Sequence, residues 1–192
     1  MEKHKQDTIS VHCWVEELQK CEFNPVLVYK PQGKQAFGLP ANDFLLGIQT
    51  KYQLDKMKEH GSRIICMDAT HSTNQYEFML ITLLVVDEYG EGLPVAWFIS
   101  NREDQLVLSP FVAAMKERTG ELNVNVFMSD DANNFYNSWI YHYAAPKSKL
   151  IYSWHVDRKT RKLAEKLKKA HQDAGGASIS LQGLKSFADG AQ

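Results

Sequence analysis

An excess of one charge is missing from this sequence: 22 Lys and Arg stand against 23 Asp and Glu, for a formal net charge of −1. That balance excludes a broad electrostatic pull toward nucleic acid or membrane, so any contact with DNA must run through a local basic patch. Long apolar runs are missing too. Nothing approaches the roughly eighteen residues needed to span a bilayer, and no apolar targeting segment opens the chain. Cysteine is scarce, and the odd set Cys13, Cys21 and Cys66 argues for a reducing, intracellular compartment. Cys13 and Cys21, with His12 nearby, match no zinc spacing, so no zinc site is expected within this chain. Cys66 lies inside an apolar run and reads as a buried thiol.

What is present suits a globular protein: 192 residues, 44% of them hydrophobic and 23% charged, enough for one substantial domain and a small appendage. Residues 1–61 read as a smaller α+β lead-in. Ser10 followed by Val11, Trp14, Val15 and Leu18 predicts a capped helix, and Asn24 to Tyr29 a strand begun by Pro25. Asn42 or Asp43 is expected to cap a second helix running through Phe44, Leu45, Ile48, Leu54 and Met57 to Gly61.

From Arg63 the texture changes. Ile64 to Met67 is a short apolar run, the pattern of a strand buried on both faces, and it ends on Asp68. Phe78 to Val86 and Leu93 to Ile99 are β-rich, and the polar, glycine-containing connector between them predicts a hairpin. The period then switches to 3.6, with Ser109 and Pro110 opening a helix that ends near Gly120. Val124 to Met128 is a fourth strand running into Asp130. Asn133 or Asn134 caps a helix through Phe135, Trp139 and Ile140, and Leu150 to Trp154 is a fifth strand ending at His155. A basic helix follows from about Arg158 to His171. Residues 62–172 thus form a core and 173–192 a weakly patterned tail. Three strands, then alternating helices and strands, predict an α/β fold with a mixed five-stranded sheet flanked by helices, in the ribonuclease-H order.

Asp68 and Asp130 each follow an apolar strand directly, where an isolated carboxylate must be hydrogen-bonded or metal-bound. If their strands lie parallel and adjacent, both carboxylates meet at one sheet edge and can share Mg²⁺ or Mn²⁺. Two such metals about 3.5–4 Å apart serve an in-line displacement at phosphorus. A strand-end Asp can equally be a turn residue or helix cap, and spacing alone does not choose between these roles.

The wording of the segments adds to this. Met67 to Tyr76, Leu83 to Ala96, Ser100-Asn101-Arg102-Glu103, Phe127 to Ala132 and Trp154 to Arg158, in that order, resemble the Mutator-like-element (MULE) transposase domain. The likeness is closest to the animal branch found in transposons and in SWIM-zinc-finger proteins, and Gln49-Thr50 with Gln53 resembles the family's lead-in. The resemblance spans roughly residues 7–165. It implies a nuclear, DDE-type enzyme of ribonuclease-H fold that cuts and joins DNA with Mg²⁺ or Mn²⁺, with Asp68 and Asp130 as the first two acids. The third, a Glu, normally lies beyond a helical insertion for which little chain remains. Glu165 is the candidate within the chain, and an exposed i,i+4 partner for Lys169 is the plainer account of it.

Where the family often carries Cys-x-x-His, this sequence has Tyr152 and His155, so His155 is not expected as a metal ligand. It and His71 are candidates for contacts around the ligands or the substrate. Arg158, Lys159, Arg161 and Lys162 could lie along a DNA backbone or simply form a solvated helix face. DNA is the expected partner, and self-association stays open. Against an active strand-transfer domain stand two other readings: a domesticated, inactive domain that binds DNA or protein, and a decayed fragment.

Overall fold

The computed structural model describes residues 5–71, 74–130 and 133–152, together with Lys166 and Lys169. Met1–Tyr152 forms one compact unit and Ser153–Gln192 a second. The first unit is built around a mixed sheet of seven strands: β1 Val26–Lys30, β2 Leu45–Ile48, β3 Ile64–Thr70, β4 Met79–Val86, β5 Gly92–Ser100, β6 Val126–Ser129 and β7 Ser148–Ile151. Its order is β1-β2-β5-β4-β3-β6-β7. β1, β2, β5, β4 and β3 pair antiparallel in that succession, and β6 and β7 add on in parallel. The five strands expected of the core, β3 to β7, stand in the ribonuclease-H arrangement, and the lead-in adds β1 and β2 to the β5 side of the same sheet.

Burial explains which face is which. Ile81, Leu83 and Val85 of β4 are fully buried, while Leu80, Thr82, Leu84 and Val86 between them are only partly so. That period of two sends alternate side chains to opposite faces. The fully buried face packs against three helices: α2 Lys51–His60, α3 Gln105–Thr119 and α4 Asn133–His142. Phe98 stacks on Phe111 of α3 with ring centroids 4.7 Å apart, and Trp139 of α4 lies between Phe127 and Tyr143. Ser109 Oγ and His142 Nε2, 2.7 Å apart, tie α3 to α4. A further helix, α1 Asp7–Gln19, contacts β1.

Four local expectations need correction. α1 begins at Asp7 rather than after Ser10, and Ser10 is an interior, buried position. The second expected helix is half strand: Leu45 to Ile48 pairs with both β1 and β5. Leu45 is buried, and a Cβ built on Gly47 would meet Phe111 and Val28 at 3.0 Å, so this segment is pressed flat between its neighbours. α2 starts only after Thr50, whose hydroxyl accepts the Gln53 N–H while the Gln53 side chain accepts from the Thr50 N–H, a reciprocal capping box. α3 starts at Gln105 behind Asp104, which accepts from the Leu106 N–H at 3.0 Å. Pro110 therefore sits inside the helix, where its nitrogen has no hydrogen for the carbonyl four residues back. Finally, β3 does not end at Asp68 but runs on to Thr70, because β4 continues as its antiparallel partner as far as Leu80 opposite Thr70.

Candidate active site

Register puts the two carboxylates together. β3 and β6 run parallel with Ile64 opposite Val126 and Met67 opposite Ser129. The next residue on each is Asp68 and Asp130. Ile65 and Met67 are fully buried among the helices, so the alternation turns Cys66 and Asp68 to the opposite face. On β6, Phe127 and Ser129 face the helices and are fully buried, and Asp130 continues on the Asp68 side. β7 repeats the step: Ile151 lies opposite Ser129, and the Tyr152 N–H donates to the Ser129 carbonyl at 3.1 Å. Adjacent strands lie about 4.8 Å apart. Asp68, Asp130 and Tyr152 thus form a row across three neighbouring strands, all partly buried.

Tyr152 is the member that sequence reasoning missed. Its hydroxyl donates to the Cys66 sulfur, and it stands in the fields of both Asp68 and Asp130. Burial first, then the charges of Cys66 and Asp68, the bond to Cys66 and the charge of Asp130 hold its phenol above the ordinary tyrosine value. Burial also raises the Cys66 thiol, partly offset by the bond from Tyr152. A phenol held protonated beside two carboxylates acts as a neutral donor, not as an anionic nucleophile. Alternation along β7 puts Tyr152 on the face of Leu150, and only the register of β7 on β6 places it beside the acids.

The remaining expected residues divide. His71, at the end of β3, is exposed, and its Nε2 lies 3.7 Å from Glu103 Oε2 on the connection between β5 and α3. His155, Glu165, Arg158, Lys159, Arg161 and Lys162 lie outside the described residues. Lys166 and Lys169, on the expected basic helix, are helical and exposed.

The donor chemistry of the row suits a hard divalent cation, since carboxylate oxygens are what Mg²⁺ and Mn²⁺ take. Asp68 and Asp130 would hold it. Among the described residues no group of three or more His, Cys, Asp or Glu side chains is gathered to hold a metal ion. Among the same residues no helix is long and apolar enough to cross a membrane.

A mixed sheet in this strand order, with acids at corresponding positions on its two central parallel strands, defines a ribonuclease-H-like domain. Residues 44–136 match the family model for the RNaseH-like domain of zinc finger SWIM domain-containing protein 1/3. The matched segment runs from the residue before β2 into α4 and includes both Asp68 and Asp130. A search of the curated proteins finds no match. The likeness fits a transposase-derived domain related to those associated with SWIM-zinc-finger proteins.

Proposed function

We propose that the chain carries a MULE-type, DDE transposase domain for metal-dependent cleavage and joining of DNA strands. The observation that supports this most is the in-register placement of Asp68 and Asp130 on one face of adjacent parallel strands. Asp68 and Asp130 would hold Mg²⁺ or Mn²⁺, which supplies activation of the attacking oxygen and stabilisation of the leaving one. Tyr152, protonated with its hydroxyl on the Cys66 sulfur, adds no further negative charge beside the two carboxylates. Glu165 is the candidate third acid within this chain, and His71 and His155 would contact the ligands or substrate. Arg158, Lys159, Arg161 and Lys162 would contact the DNA backbone, giving sequence-independent affinity that falls as salt rises. A nuclear location, DNA as partner and room for a homo-oligomer follow from the same reading.

The test is nicking of supercoiled plasmid by the purified chain in Mn²⁺ or Mg²⁺. Activity should vanish with a chelator and fall about a hundredfold or more in Asp68→Asn and in Asp130→Asn, the scale of losing preorganised charge stabilisation. Undiminished nicking in both variants would remove these residues from the mechanism. The alternative reading is a domesticated domain that binds DNA or protein without cutting. It predicts salt-sensitive DNA binding with no metal-dependent nicking.

A further inference from the structure

A cluster of aromatic rings lies beside Leu46 of β2 and Ile99 of β5. α1, the β1–β2 hairpin and the segment before β4 enclose a cavity of about 220 Å³, room for roughly seven waters at the liquid's share of about 30 Å³ each. Four rings line it: Tyr29, Phe44, Tyr76 and Phe78. Tyr29 and Phe44 stand nearly perpendicular, at 80° with centroids 6.3 Å apart, and Phe44 and Phe78 stack at 5.0 Å. The rings therefore make a corner rather than a flat wall.

Asp7 also lines the cavity, and its carboxylate is fixed rather than free to swing. Both the Tyr76 hydroxyl and the Gln75 amide, the latter at 3.3 Å, donate to its Oδ2. Among the described lining residues there is no Lys, Arg or His. The charged side chain among the described lining residues is therefore the Asp7 carboxylate, and the His12 ring stacks on Tyr29 with centroids 6.0 Å apart. Aromatic faces are electron-rich and attract cations that shed water easily, and N-methylated ammonium groups are the strongest case. A carboxylate beside such rings adds a charge and an acceptor for any remaining N–H.

The geometry points to this cavity as a receptor for the N-methylated lysine side chain of a basic peptide, with the methylammonium head against the Tyr29–Phe44 corner and its remaining N–H on Asp7. The occupant is a mono- or dimethyl-lysine in preference to the trimethylated form, which has no N–H to give. The described lining includes neither Asp68 nor Asp130, and the assignment does not depend on strand cleavage.

The test uses the full chain and fluorescently labelled basic peptides that differ only at one lysine: unmodified, dimethylated, trimethylated, or replaced by the neutral carbon isostere of trimethyl-lysine. Fluorescence anisotropy should show saturable binding of the dimethyl peptide, with the neutral isostere at least tenfold weaker. Asp7→Asn, at an exposed position, should keep the fold by circular dichroism and lose the dimethyl preference, and Tyr29→Leu should weaken both methylated peptides. Equal binding of the neutral isostere, absence of saturation by a folded chain, or displacement of bound peptide by single-stranded DNA from wild type and Asp7→Asn alike would overturn the assignment.

Discussion

Asp43 is 1% exposed, and its carboxylate receives the Arg102 guanidinium at 2.7 Å. The same guanidinium reaches Asp104, the cap of α3. Beside it, Asn101 accepts the Phe44 N–H at 2.9 Å and donates to the Asn42 carbonyl. The fully buried Lys30 ammonium donates to the Asp43 carbonyl. A carboxylate this deep is costly once its ion-pair partner is gone, because only the Lys30 ammonium on its own carbonyl is left nearby to offset its charge. Arg102→Ala should therefore lower unfolding stability by about 1–2 kcal/mol, the arginine being partly exposed, read from the urea midpoint at unchanged slope. The motif Ser100-Asn101-Arg102-Glu103, part of the transposase likeness, thus has an architectural role at its centre: it clamps the β1–β2 hairpin to the start of α3. Gln49 and Gln53, from the lead-in motif, act alike, donating to the carbonyls of Val95 and Pro94.

Among the elements, α2 depends most visibly on a local signal. Thr50 and Gln53 satisfy each other's backbone donors at its first turn, and losing such a cap costs about 1 kcal/mol. Thr50→Ala should show that loss in chemical denaturation, and Thr50→Ser should restore most of it. The capping box was legible as residue types, but the apolar residues before it fit a helical period too. Helix and strand share a pattern over so few residues, and only pairing with β5 decides between them. The apolar runs beginning at Ile64 and Val124 were readable because a strand buried on both faces has few alternatives. Pro110 misled for a different reason: a first-turn proline and one tolerated deeper in a helix look alike until the true cap, Asp104, is found. The acids were legible from their place after those runs. Tyr152 was not, because its importance comes from lateral register across three strands, which no single segment encodes.

In the whole molecule, the lead-in and the core share one sheet. Leu45 to Ile48 pairs residue for residue with Ser100 to Trp97, so β5 is flanked on both sides and the outermost strand is β1. That strand has only five residues and stops at Pro31. A fragment starting at residue 62 would follow the boundary suggested by sequence texture and leave one side of the nine-residue β5 without its hydrogen-bonding partner. A long apolar strand with bare N–H and C=O groups is a template for another copy. Such a fragment should self-associate into species larger than those of the full chain by light scattering, and Trp97→Lys on its outer face should reverse this. A fragment as monodisperse as the full chain would overturn the expectation. The hairpin that completes the sheet is therefore also a guard against strand-to-strand aggregation, and any attempt to isolate the ribonuclease-H-like fold should begin upstream of residue 26, not at the apparent domain start.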